Sequence, residues 1–161
     1  MDIFAFAMQM EQEGEAFYRE LAAQAPNEGT QTILTMLADE EQKHYRAIQA
    51  IQSEDDYEME QAQVLDHAKN VFRRMKEFGE TFEINTEQAN LYRQAMEIES
   101  KSIEFYLDRA DEVPRPAQKE LFQRLAEEEK KHYRLMENLA DLVSRPQRWH
   151  EDAEFYHLED Y

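Results

Sequence analysis

Cysteine is absent from the 161-residue sequence, and glycine and proline are scarce, with three and four residues respectively. Without cysteine the chain cannot form disulfides or zinc–thiolate sites, and it cannot carry out thiol redox chemistry. Runs of alternating β-branched residues bounded by turn residues are also missing, so no β-sheet is predicted. Strong helix formers fill almost every window of the sequence. The composition therefore predicts an all-α protein.

Basic residues are half as frequent as acidic ones, with 18 Lys and Arg against 36 Asp and Glu, which gives a formal net charge of −18. We therefore expect no nucleic-acid partner, because DNA and RNA are bound by basic surfaces. An acidic surface keeps a protein soluble and also attracts cations, and both interpretations stay open. No stretch approaches the roughly 20 apolar residues of a membrane span. The first residues also lack a basic segment followed by an apolar one, so we predict a cytoplasmic protein with no membrane partner.

Five helical segments are predicted, followed by a tail. They cover 2–24, 30–53, a shorter stretch within 61–78, 86–112 and 117–143. The segments "APNEG" at 25–29 and "VPRP" at 113–116 interrupt the pattern, because Pro and Gly break helices. Thr86 is the predicted N-cap of the fourth helix. The acidic segment 53–60 is interpreted as a solvated connector, and the tail 144–161 is compatible with a short helix.

The sequence repeats itself at a fixed distance. "AMQMEQEGEAFY" at 7–18 matches "AMEIESKSIEFY" at 95–106, and "LADEEQKHYR" at 37–46 matches "LAEEEKKHYR" at 125–134. Both matches are 88 residues apart, which indicates an internal duplication. We predict one four-helix bundle over residues 1–143, built from a helical hairpin at 1–53, a long crossover with a short helix at 54–85, and a second hairpin at 86–143.

Ionisable residues interrupt the apolar stripe of each long helix near its middle. At spacings of three and four, the first and fourth helices place one Glu on the stripe, and the second and fifth place a Glu-x-x-His pair there. These residues are Glu11, Glu41, His44, Glu99, Glu129 and His132. The breaks at 25–29 and 113–116 lie midway between the paired positions of each hairpin. All six side chains are therefore expected to meet in one layer.

Such a layer favours a dinuclear metal site. Burial of four carboxylates without partners costs many kcal/mol, and no Lys or Arg lies on these stripes. Two divalent cations would neutralise the layer, and carboxylate oxygen with imidazole nitrogen suits iron, manganese or zinc. The same ligand set is described for di-iron and di-manganese carboxylate bundles. The predicted bridging ligands are Glu41 and Glu129, and the terminal pairs are Glu11 with His44 and Glu99 with His132. The alternative is a bundle that has lost its metals and keeps the carboxylates protonated or hydrated.

Two tyrosines accompany the lone glutamates. Tyr18 and Tyr106 follow Glu11 and Glu99 by seven residues and lie on the same helical faces. Two interpretations stay open. Each hydroxyl could hydrogen-bond a ligand carboxylate or donate an electron in catalysis, or each ring could be a core aromatic whose hydroxyl is satisfied elsewhere.

The strings "LADEEQKHYR" and "LAEEEKKHYR", with Glu11 in "MEQEGEAFY" and Glu99 in "IESKSIEFY", resemble the rubrerythrin family of the ferritin-like superfamily. The resemblance covers roughly residues 1–143 and implies a ferritin-like bundle with a non-haem di-iron centre. Family members reduce hydrogen peroxide or oxidise ferrous iron, and they are commonly dimers or larger assemblies. The resemblance implies a homodimeric or larger oxidoreductase that reduces hydrogen peroxide, or dioxygen, under oxidative stress. The alternative that it leaves open is a ferroxidase or iron-binding protein for storage or delivery.

The sequence departs from the family pattern in two places. Full-length rubrerythrins resemble this chain plus a small rubredoxin domain with four cysteines, whereas cysteine is absent here. We therefore expect electrons to come from a separate donor, such as a rubredoxin-type protein. Rubrerythrins also tend to carry an extra carboxylate one turn before the lone Glu of the fourth helix, where this chain has Met96, and Glu97 is expected to face away. This difference predicts a more symmetric site, similar to bacterioferritin-type centres, without the redox-linked ligand exchange usual in rubrerythrins.

Overall fold

A computed structural model describes residues 2–53, 63–79 and 83–147. Five α-helices and no strand occur within these ranges, which confirms the all-α class; the helices are α1 (Ile3–Ala23), α2 (Glu28–Gln52), α3 (Val64–Glu77), α4 (Thr86–Arg109) and α5 (Pro116–Ser144). The predicted connector at 54–60 and the tail beyond residue 147 lie outside the described residues. In the part of the chain that is described, no helix has the length and apolar character needed to cross a membrane.

Asparagine residues cap two of the long helices, and neither cap was predicted. The Asn27 side chain accepts a hydrogen bond from the Thr30 amide at 2.9 Å, so α2 begins two residues earlier than predicted. The prediction of Thr86 as the N-cap of α4 was wrong, because Asn85 holds this position and accepts from the Gln88 amide at 2.9 Å. Asn has extended backbone at these positions and is among the strongest N-caps, which explains both starts. At its other end, α4 stops at Arg109, earlier than predicted.

The helices pair as two hairpins, α1 with α2 and α4 with α5, and α3 packs on α2 and α5. The hairpins meet through contacts of α2 with α5 and of α1 with α4. Side chains of the second hairpin also satisfy carbonyls at helix ends of the first: Gln88 donates to the Gln24 carbonyl and Arg115 to the Ile51 carbonyl, each at 2.9 Å. Because these terminal carbonyls have no partner within their own helices, the contacts fix the ends of the bundle.

Two hydrophobic clusters fill the bundle, one toward each end. The α3 cluster includes Phe72, Tyr92 and Leu139, and the Phe122 cluster includes Ile48 and Phe122. Every long helix contributes to both clusters. The ionisable residues of each helix lie in sequence between its two contributions. The bundle therefore consists of two apolar halves with a polar layer between them.

The apolar stripe predicted for α4 begins with Leu91, which packs against the α3 cluster. On α4, Leu91 is half-buried, whereas Tyr92 is fully buried in the α3 cluster. Tyr92 lies three residues before Ala95, which also fits helical spacing.

The docking of α3 can be tested with two phenylalanines near its end. Phe72 is fully buried, whereas Phe78 is 82% exposed. Phe72→Ala is expected to lower the free energy of unfolding by about 3–5 kcal/mol, because it leaves a cavity in the α3 cluster. Phe78→Ala is expected to change it by less than about 0.5 kcal/mol. Urea unfolding of both variants measures the difference, and equal effects would contradict the packing of α3.

Candidate metal centre

The six predicted ligands meet in one buried layer. Each long helix contributes the side chains expected from its stripe, and all six residues are at most 4% exposed. They form two overlapping groups whose possible ligand atoms lie within 4.8 Å of one another. The first group is Glu11, Glu41, His44 and Glu129, and the second is Glu41, Glu99, Glu129 and His132. Glu41 and Glu129 belong to both groups, which is the arrangement predicted for bridging ligands.

The imidazoles approach the carboxylates through Nδ1. His44 Nδ1 lies 3.1 Å from Glu129 Oε1 and 3.5 Å from Glu11 Oε2. His132 Nδ1 lies 2.8 Å from Glu41 Oε1 and 3.5 Å from Glu99 Oε1. The two rings stack with centroids 5.5 Å apart and an angle of 7° between their planes. Each histidine thus contacts the shared glutamate of the other hairpin as well as its own terminal glutamate.

The two tyrosines connect the hairpins crosswise. The Tyr18 hydroxyl of α1 donates to Glu99 Oε1 of α4, and the Tyr106 hydroxyl of α4 donates to Glu11 Oε1 of α1, each at 2.5 Å. Both tyrosines are buried. Of the two interpretations of these residues, the structure shows the hydrogen bond to a carboxylate of the layer. Hydrogen bonds of this kind hold a ligand in orientation, while a part in electron transfer stays a prediction.

A glycine makes room for one shared carboxylate. Gly14 lies on α1 one turn after Glu11, and a Cβ atom placed on it would lie 2.8 Å from Glu41 Oε2. No real side chain could take that position unless Glu41 moved. Helical spacing places Gly14 on the apolar stripe of α1, three residues after Glu11, but a glycine has no side chain that would suggest a role. The 88-residue repeat distinguishes Gly14, because the equivalent residue in the second hairpin is Ser102, which has a side chain.

Burial opposes ionisation of all four glutamates, and in three of them the pKa is raised. Removal from water raises the pKa of Glu11, and the charge of Glu129 raises it further. Burial, together with the neighbouring carboxylates, raises the pKa of Glu41 and of Glu99 well above the ordinary value. These groups bind protons more readily than a carboxylate in water, because nearby negative charge and low polarity both disfavour the ionised form.

Neighbouring side chains act against burial at Glu129 and at the two imidazoles, and there they favour the ionised form. Burial acts against ionisation of Glu129, but the adjacent Glu99 carboxyl and the imidazoles of His132 and His44 outweigh it and hold its pKa well below the ordinary value. Burial disfavours the charged form of His44 as well, yet the adjacent Glu11 and Glu129 raise its pKa to about 10. The pKa of His132 is raised in the same way by Glu129 and Glu99. In the metal-free protein, protons therefore take the place of the neutralising cations.

These donors fit two divalent cations. Within the described residues, the carboxylate atoms Glu11 Oε2 and Glu129 Oε2 are buried without a hydrogen bond, and buried polar atoms are rarely left so. Carboxylate oxygen combined with imidazole nitrogen is a donor set for iron, manganese or zinc. A cation in each of the two groups would satisfy these oxygens and replace the protons that hold the metal-free layer together.

A comparison with protein-family models agrees with this geometry: the model described as rubrerythrin matches residues 2–140. The chain belongs to the rubrerythrin family. Membership in the family implies binding of two irons, and the two groups of side chains are candidate ligands for them. No curated protein and no solved structure matched the chain significantly.

This rubrerythrin differs from the family pattern where the sequence indicated. Met96 is half-buried and packs against the α3 cluster, and Glu97 is exposed. Neither residue belongs to the two groups of possible ligands. Among the described residues, the site therefore has the same composition in both halves, one lone Glu and one Glu-x-x-His pair from each hairpin.

The metal-free protein is expected to lose stability as pH rises. Both imidazoles bind protons more tightly in the folded protein than in the unfolded chain. Their contribution to the free energy of unfolding is therefore fully present below the ordinary His pKa of 6.5, and it is lost as pH rises toward the folded pKa of about 10 for His44. The raised pKa values of Glu11, Glu41 and Glu99 act in the same direction.

Urea unfolding in the presence of a chelator, at intervals from pH 6.5 to 10, measures this effect. The midpoint is expected to fall across the range, with a shallower decline in His44→Gln. A midpoint that stays constant or rises would show that the imidazoles are not protonated in the metal-free layer.

Proposed function

We propose that this rubrerythrin is a non-haem di-iron oxidoreductase that reduces hydrogen peroxide, or dioxygen, with electrons from a separate donor. The observation that supports it is the pair of overlapping ligand groups that share Glu41 and Glu129 in a fully buried layer. A site for one metal needs no shared carboxylates. Two shared carboxylates suit a pair of ions held close together.

The residues of the layer have separate tasks in this proposal. Glu41 and Glu129 would hold both irons, and each histidine with its lone glutamate would hold one. When bound, the irons supply one electron each to break the O–O bond of the oxidant. Reduction of one hydrogen peroxide to two waters consumes two electrons and two protons, so a donor must return two electrons for each turnover.

The surrounding residues keep the layer in place and dry. Tyr18 and Tyr106 hold the lone glutamates by hydrogen bonds from the opposite hairpin. The apolar clusters on both sides exclude water, which strengthens every electrostatic interaction inside the layer. Because the 161 residues contain no cysteine, we propose a separate electron donor of the rubredoxin type. A cytoplasmic location, a homodimer or larger assembly, and the absence of a nucleic-acid partner stay predictions from the sequence.

A ferroxidase that oxidises iron for storage or delivery is the alternative, and one observation favours it. Position 96 carries Met in place of the additional carboxylate of the family, and the neighbouring Glu97 is exposed. The site therefore lacks the group that rubrerythrins use for redox-linked ligand exchange, and its composition is similar to that of bacterioferritin-type centres.

Loss of a shared or terminal ligand is expected to remove both metal binding and activity. Glu41→Ala takes away a carboxylate that belongs to both groups, and His132→Ala takes away the imidazole of one. We expect neither variant to bind two irons per chain or to consume hydrogen peroxide. Glu97→Ala, at an exposed position on α4, is the control and should match the original protein. Turnover by a variant that binds no iron would sink the proposal.

The oxidant distinguishes the two candidate functions. The metal-free protein is loaded anaerobically with ferrous iron and mixed with hydrogen peroxide or with air while the near-ultraviolet absorption is recorded. Fast oxidation by peroxide and slow oxidation by air, with saturation near two irons per chain, are expected for the peroxidase. Fast oxidation by air with continued uptake of iron would favour the ferroxidase.

A further inference from the structure

A groove runs along the bundle between α1 and α4. It has a volume of about 570 Å³, and α3 packs on the other pair of helices, α2 and α5. Its walls are mainly apolar and include Phe6, Met10, Phe17, Ile98 and Phe105. Charged side chains such as Lys101, Glu104 and Arg109 also line it.

The groove comes close to the metal layer at Gly14, although none of the six candidate ligands lines it. This glycine lines the groove, and the position that its missing Cβ would take is 2.8 Å from Glu41 Oε2. The shared carboxylate therefore lies directly behind the backbone of Gly14. A side chain at this position would collide with the carboxylate, so Glu41 would have to move to admit it.

The two halves of the protein differ at this point. The residue equivalent to Gly14 in the second hairpin is Ser102, and the residue equivalent to Glu41 is Glu129. Glu41 is 4% exposed, the highest value among the six ligands, whereas Glu129 is 1% exposed. The duplication otherwise repeats the ligands, so Gly14 and Ser102 mark a point at which the surroundings of the two shared carboxylates differ.

We propose that this groove is the route by which a small uncharged oxidant, hydrogen peroxide or dioxygen, reaches the site, and that the oxidant enters the layer beside Gly14. The inference rests on the proposed function of the site. The apolar walls favour an uncharged molecule, because a hydrated ion would lose water contacts there without compensation. The acidic surface of the protein does not repel such a molecule.

Two substitutions close the route in different ways. Ile98→Trp enlarges a residue of the groove wall, and Gly14→Ala adds a methyl group at its inner end. Nitric oxide serves as a small uncharged probe, because its binding to ferrous iron gives visible absorption without turnover. In stopped-flow mixing with the iron-loaded protein, both variants are expected to bind nitric oxide at least tenfold more slowly and to react with peroxide more slowly by a similar factor.

Matched controls separate blocked access from a damaged site. Leu107→Trp adds the same ring to α4 at a position that is 45% exposed and does not line the groove, and Ser102→Ala changes the residue equivalent to Gly14. Both should match the original protein, and all four variants should bind two ferrous ions. If Gly14→Ala loses iron because Glu41 has moved, the rate of nitric oxide binding in Ile98→Trp alone tests whether the groove is the route.

The outcomes also separate this inference from the proposed function. Unchanged nitric oxide binding in Ile98→Trp would overturn the route, even if the original protein consumes peroxide. If the original protein binds two irons but does not react with peroxide or air, the proposed function fails, while slower nitric oxide binding in Ile98→Trp would still support the route.

Discussion

The structure depends on one constraint, the burial of four carboxylates and two imidazoles in a single layer. Such a layer is unstable unless its charge is neutralised, since each buried ion carries a penalty of several kcal/mol. In the metal-free protein, protons and histidine contacts neutralise it. The apolar clusters above and below the layer hold the helices in register. Two irons would replace the protons, so metal binding and the stability of the bundle are linked.

The duplication gives the site its approximate symmetry, and the tyrosines show how the halves depend on each other. Tyr18 reaches Glu99 and Tyr106 reaches Glu11, so each hairpin completes the ligand environment of the other. Neither hairpin alone could hold its lone glutamate in this way. The symmetry ends at Gly14 and Ser102, where one half leaves space beside a shared carboxylate.

Much of the fold and the site could be predicted from the sequence, because helical spacing and the 88-residue repeat constrain the same residues twice. Glu41 and His44 fall on one face of a helix at any reasonable start of that helix, so small errors in the boundaries did not matter. The starts themselves were less certain, since Asn85 and Thr86 can both cap a helix. The crosswise tyrosine contacts were not predictable, because spacing along one helix does not say which neighbouring helix a side chain reaches. The closeness of Gly14 to Glu41 likewise depends on the distance between α1 and α2.

The central claim is that this layer holds two metal ions between shared carboxylates. The most direct measurement is a crystal structure of the iron-loaded protein with anomalous scattering recorded at the iron edge. The account predicts two peaks per chain, both beside Glu41 and Glu129, one next to His44 Nδ1 and the other next to His132 Nδ1. A single peak, an empty layer, or iron bound elsewhere on the acidic surface would contradict it.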